Sequence, residues 1–255
     1  VGMAASTSGS VVTIRSSAAQ QVLTDHKVTI PEYDKERLED IGFMTAMTFV
    51  TMCNYAQTGH LGGPLAYTPY TVATHLIGPE LGGLSYDYRR PKHPFCDKFL
   101  LAGGHNAPAT YGMWILMGHA LDRRHANTGD DRYEVDPNIA MLPIDAIGFR
   151  RGAGALATLL ADNDLANHPL FTQAKKRGIR ALSGHSETTD LTNDVNGGPS
   201  GVGIAGAAGK AAFWDFVGAP DSLKVIALEG EFALTSGHSQ EMKTQAVAQQ
   251  VGKRL

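Results

Sequence analysis

Asp97-Lys-Phe-Leu-Leu-Ala-Gly-Gly-His-Asn106 decides the fold. Lys98 to Ala102 is a short run, apolar after its lysine and ended by Gly103, the pattern of a short buried strand. Gly103-Gly104-His105-Asn106 then turns the chain, and Ala107 to Leu121 carries a helical pattern. A strand that runs through a glycine turn into a helix is the unit of a parallel α/β sheet, and in such sheets ligands bind where strands end and helices begin.

Outward from this stretch the same alternation recurs. Asp34 is placed to cap a helix from Lys35 to Gln57, whose apolar face reads Leu38, Ile41, Phe43, Met44, Met47, Phe49, Val50 and Met52, a methionine-rich packing stripe. Thr58-Gly-His-Leu-Gly-Gly-Pro-Leu65 ends that helix, and Pro64 opens the next, through about Ile77. Residues 78–94 read as loop and 122–148 as polar and irregular. Helical patterns resume at 149–163 and 168–177, and 183–199 is again loop. A helix of small residues spans Gly201 to about Val217, Leu223-Lys-Val-Ile-Ala-Leu228 is the second clear strand, and a helix from Gly237 to Val251 closes the chain. The fold expected is α/β, a doubly wound parallel sheet flanked by helices, in residues 34–255 behind an N-terminal extension of residues 1–33.

Composition narrows the function. Apolar residues make up 43% and charged residues 18% of 255 residues, as in a packed enzyme domain, and a net charge of -3 provides no basic stripe for nucleic acid. No run approaches the ~18 apolar residues of a membrane span. Cys53 and Cys96 match no zinc spacing and read as reduced core residues of a cytoplasmic protein. The 29 glycines gather around histidines and turns, where backbone can approach a ligand.

Gly59-His60, Gly104-His105 and Gly184-His185 are three Gly-His pairs, each in a turn. One such histidine is usually an ordinary hydrogen-bonding residue; three in matching settings point to a shared polar ligand, since imidazole both donates hydrogen bonds and shuttles protons near neutral pH. Gly197-Gly-Pro-Ser-Gly-Val-Gly-Ile-Ala-Gly-Ala-Ala-Gly209 contains the G-x-G-x-x-G string Gly201, Gly203, Gly206. A dinucleotide site would need an apolar strand directly before it, and residues 187–196 are polar. Its other reading from the residues is a helix whose small side chains let it pack closely on the sheet.

The ordered set of these turns resembles the transketolase family. Thr58 to Leu65 is similar to that family's Ser-Gly-His-Pro-Gly-Ala-Pro, Asp97 to Asn106 to its Asp-Arg-Phe-Val-Leu-Ser-Asn-Gly-His-Gly, Ser183-Gly-His-Ser-Glu187 to its Pro-Gly-His-Pro-Glu, and the 197–206 string to its Thr-Thr-Gly-Pro-Leu-Gly-Gln-Gly-Ile-Ala. The resemblance runs from about Glu39 to the end, broken by an apparent insertion between about Arg123 and Ile179.

It implies the diphosphate-binding, N-terminal domain of a thiamine-diphosphate enzyme, a transferase that moves a two-carbon ketol unit between sugar phosphates. By it, His60 and His185 are catalytic and face the sugar, while His105, Gly198 and Gly230 bind the cofactor. Glu231 takes the place of the aspartate that ligates Mg²⁺ (or Ca²⁺ or Mn²⁺). Glu229-Gly-Glu-Phe232 departs from the family's Gly-Asp-Gly, with Phe232 in place of a glycine. The resemblance also implies a pyrimidine-binding domain, from the rest of a longer chain or from a partner in a homodimer or heterotetramer, and a cut before the strand that carries the second metal ligand. The 123–179 insertion, with Arg150 and Arg151, is placed to alter the substrate entrance. Three alternatives stay open: a 2-oxoacid decarboxylase or dehydrogenase of the same cofactor class, a non-catalytic subunit with a degenerate metal turn, and a nicotinamide oxidoreductase built on Gly201 to Gly206.

Overall fold

The structure, a computed structural model, describes residues 34–150, 168–199, 201–230 and 232–255. The expected 1–33 extension and most of the helix expected at 149–163 lie outside the described residues. The chain folds as α/β and divides into two compact units. One comprises Asp34–Ala73 and His105–His185, the other Thr74–Gly104 and Ser186–Leu255.

In the first unit, α1 (Lys35–Ala56) starts where the Asp34 carboxylate accepts the Arg37 N–H at 3.1 Å, and it stops at Gln57, whose backbone is left-handed. Its buried stripe is Gly42, Thr45, Phe49, Met52, Cys53 and Ala56, whereas Phe43, Met44 and Met47 are exposed. The methionine stripe expected from hydrophobicity is therefore only partly core. The buried face is set by close approach to α3 (Ala107–Thr128), where a Cβ on Gly112 would stand 2.8 Å from the Thr45 carbonyl oxygen. Helix α3 continues seven residues beyond the expected Leu121, through the charged stretch Asp122 to His125, until Gly129 ends it at φ +64°. Polarity there marks a solvated helix face rather than irregular chain.

Asp145 ties this unit together. It is fully buried and accepts the N–H groups of Leu142 and Arg180, each at 2.8 Å, and an Arg177 guanidinium N–H at 2.6 Å from the end of α4 (Pro169–Arg177). A parallel bridge, Phe149 to Leu182, aligns the chain beside it. An apolar cleft of about 430 Å³ opens between α1, α3 and the turn Pro143–Gly148, lined by Met47, Met52, Tyr55, Ile115 and Ile147 among others. Helix α2 (Gly62–Leu76) carries the chain into the second unit.

There β1 (Lys98–Leu101) pairs in parallel with β2 (Val225–Leu228), in the register Lys98–Val225 to Leu101–Leu228. Both expected strands are present, and the described sheet holds these two. Helix α5 (Val202–Phe216) lies on them through its small residues; a Cβ on Gly203 would stand 2.4 Å from Ala102 Cα. Trp214 of α5 joins Leu100, Leu223 and Val225 in the core, with Ala246 of α6 (Gly237–Ala248) closing it. The close-packing reading of the glycine string holds. Buried Asp97 fixes the start of β1 by accepting the N–H groups of Ser85 (2.8 Å) and Lys224 (2.7 Å). Among the described residues no helix is long and apolar enough to cross a membrane.

Candidate functional site

The first unit brings all three sequence-selected histidines together. His60 follows the end of α1, on a turn that only glycine permits. Gly59 has φ +149°, and a Cβ there would meet Cys53 Sγ at 2.4 Å. His105 sits in the short turn Gly104–Asn106 that opens α3, and His185 on the loop after Leu182, where its carbonyl accepts the Tyr111 hydroxyl at 3.4 Å. The His60 ring centroid is 5.3 Å from that of His105 and 6.2 Å from that of His185. His60 is exposed; His105 and His185 are half-buried.

Burial holds the His60 imidazole below its usual pKa, and the neighbouring His105 and Arg150 push the same way. His185 is lowered as well, by burial first, then by Arg150, His60 and His105. Both rings are therefore neutral at neutral pH, each with one N–H to donate and one nitrogen to accept.

Arg150 is the residue that the histidine motifs gave no hint of, though it falls in the insertion. Its backbone is left-handed (φ +54°), its N–H donates to the Leu182 carbonyl at 2.8 Å, and its Nη1 donates to Thr58 Oγ1 at 2.9 Å. The guanidinium lies against the Gly184 backbone, where a Cβ would stand 2.2 Å from Nε. Two of the three Gly-His glycines, Gly59 and Gly184, thus make room for protein side chains, Cys53 and Arg150. Asn106 was missed too. It is wholly buried, neither its Oδ1 nor its Nδ2 has a hydrogen-bond partner, and a Cβ on Gly63 would stand 2.2 Å from its Oδ1. A buried amide without partners costs free energy, and here it underlies the turn next to His60.

The second unit holds the remaining selected residues. The turns at the carboxyl end of β1 interlock by backbone. Ser186 N–H donates to the Gly104 carbonyl at 3.2 Å, Gly197 N–H donates to the Ser186 carbonyl at 2.9 Å, and a Cβ on Gly104 would collide with the Gly197 carbonyl oxygen at 1.9 Å. Gly198, next along, has open space where its Cβ would be, and Gly230 is buried just after β2. Lys92, Lys98 and Lys210 all pair with Asp194, at 3.4, 3.5 and 3.1 Å, and so anchor the loop that leads to Gly197.

Glu231 lies outside the described residues. Its neighbour Glu229 pairs with Lys243 at 3.0 Å, and Phe232 is exposed. Among the described residues no group of three or more His, Cys, Asp or Glu side chains is arranged to hold a metal ion. The glycines of the G-x-G-x-x-G string face protein: Gly201 meets Ser236 Oγ, Gly203 meets Ala102 and Gly206 meets Val195.

No family model matches the chain, and no curated protein matches it.

Proposed function

We propose that this chain is the diphosphate-binding part of a transketolase-like enzyme that uses thiamine diphosphate and Mg²⁺, built on a doubly wound parallel sheet of which β1 and β2 form part. The supporting observation is the convergence of His60, His105 and His185: His105 and His185, 45 and 125 residues after His60, bring their rings to 5.3 and 6.2 Å from its ring. In the second unit the interlocked turns leave backbone open at Gly198, a setting that suits a phosphate oxygen.

In this reading His105, Gly198 and Gly230 hold the diphosphate, and Glu231 ligates the hard cation through oxygen. When bound, the cofactor would supply the nucleophilic carbon that the chemistry at a ketose carbonyl needs. The chain's own residues do the rest. His60 and His185, neutral at working pH, donate hydrogen bonds to substrate hydroxyls and take up or return a proton at their free ring nitrogen. A pyrimidine-binding domain, in the same polypeptide or in a partner, completes the site.

Calorimetric titration tests this. Thiamine diphosphate is expected to bind in the presence of Mg²⁺ and to lose most of its affinity without it. His105→Ala and Glu231→Gln each weaken it about tenfold or more, as loss of a charge-assisted contact does. Absence of binding even when a pyrimidine-binding domain is supplied would sink the proposal, and saturable binding of a nicotinamide dinucleotide instead would replace it.

A further inference from the structure

We propose that Arg150, with Thr58 and the imidazoles of His60 and His185, forms a recognition site for a small oxyanion carried by the substrate, a phosphate or a carboxylate. That the oxyanion belongs to a substrate rests on the function proposed above; the anion site itself does not.

The argument begins with how Arg150 is held. A non-glycine residue at φ +54° adopts an uncommon backbone, and here the N–H to Leu182 carbonyl bond fixes it. The side chain passes the Phe149 ring, with Cζ 5.6 Å from its centroid, and lies along Gly184 in space that any side chain at 184 would fill. The Thr58 hydroxyl then receives one N–H of the fork. A long, flexible side chain is thus oriented at several points along its length, which lowers the entropy lost on binding.

Charge supplies the second step. Among the described residues no carboxylate pairs with Arg150, whereas Arg177 pairs with Asp145, Arg254 with Asp221 and Arg132 with Asp130. The Arg150 charge reaches both His60 and His185. A guanidinium that, among the described residues, faces no acid and stands next to imidazole N–H donors makes a donor-rich surface. Its complement is an acceptor-only group, and the planar fork matches phosphate and carboxylate oxygens two at a time. Arg150 and His60 are exposed, so the surface can be reached from solvent.

Inorganic phosphate and acetate, titrated separately into the whole chain at constant ionic strength, test the site through the imidazole resonances of His60 and His185. Saturable shifts are expected in the wild type. They weaken about tenfold or more in Arg150→Ala, the scale of one charged contact, and less in Arg150→Lys, which keeps the charge but loses the fork. Tighter phosphate binding assigns a phosphate-bearing substrate, and tighter acetate binding a carboxylate-bearing one. Should Arg150→Ala lose its fold, Arg150→Lys and Thr58→Ala decide the matter, both with weakened binding expected. Shifts that never saturate in the wild type, or equal affinity in the wild type and every variant, overturn the site.

Thiamine diphosphate binding on the same proteins separates the two proposals. It is expected to be unchanged in Arg150→Ala. If thiamine diphosphate binds none of the proteins while phosphate still depends on Arg150, the function falls and the anion site stands. If Arg150→Ala loses thiamine diphosphate together with phosphate, Arg150 serves the cofactor and the substrate assignment is overturned.

Discussion

At the residue scale, the histidines were legible and their neighbours were not. Glycine followed by histidine in a turn is a local signal, and His60, His105 and His185 could be picked out by it. Nothing local links Arg150 to Thr58, because the two stand 92 positions apart and their contact exists only once the fold forms. Asn106 was hidden for another reason. It stands at the end of the glycine turn, where its side chain makes no capping bond and is buried without a partner among the described residues. The electrostatics of this cluster give a sharp prediction. Arg150 depresses the pKa of both His60 and His185, so Arg150→Ala is expected to raise both midpoints, and His60→Ala to raise that of His185, in an NMR pH titration. A depressed histidine contributes stability that is complete above its unfolded value of 6.5 and is lost as pH falls through the folded value. The Arg150→Ala chain should therefore lose less stability between neutral pH and pH 5 than the wild type does. Midpoints that do not move on removing the guanidinium would show that the charge does not reach the rings.

At the element scale, helix and strand placement followed from pattern, while faces and ends did not. Strands 98–102 and 223–228 were legible because short apolar runs between breakers have few other readings. The buried face of α1 was not. Its contact with α3 buries Thr45 against Gly112, while the bulkier Met44 and Met47 stay exposed, and hydrophobicity alone ranks them the other way. Helix α5 offers a direct test of whether glycine serves packing. Gly203 faces the sheet, where an added Cβ would stand 2.4 Å from Ala102 Cα, whereas a Cβ on Gly209 of the same helix meets nothing within 4 Å. Both substitutions remove glycine from a helix interior, which by itself favours alanine by about 0.5–1 kcal/mol. Gly209→Ala is therefore expected to stabilise by that amount. Gly203→Ala must move backbone against backbone and is expected to destabilise by about 1–3 kcal/mol, as overpacking does. Urea midpoints at unchanged slope measure both. Equal effects of the two changes would mean that α5 does not lie on the sheet as described.

At the scale of the whole molecule, the division into two units has no mark in the sequence. Each unit is assembled from separated segments, and the chain passes between them at 73, 104 and 185, inside a helix and within glycine turns rather than through linkers. Composition and periodicity report local preference, so an interleaved division is invisible to them. The physics of each unit can still be read from its buried carboxylate. Asp145 neutralises Arg177, whose side chain is 8% exposed, and accepts two backbone N–H groups. Asp97 accepts two backbone N–H groups at the start of β1 and beside β2. Asp145→Ala leaves a buried guanidinium without its counter-charge, a loss of about 3–5 kcal/mol. Asp97→Ala leaves the buried Ser85 N–H and the part-buried Lys224 N–H without acceptors, at about 1–3 kcal/mol for the buried one and less for the other. If each unit opens around its own core, Asp145→Ala will speed amide hydrogen exchange in α1, α3 and α4 and leave β1, β2 and α5 at wild-type protection. Asp97→Ala will then do the reverse. The experiment also weighs on function, because the histidine cluster lies wholly in the unit that Asp145 ties, and an opening confined there would disorder His60 and His185 while the strands stay protected. Acceleration of the same amides in both units by either substitution would instead show that the chain opens in a single cooperative step.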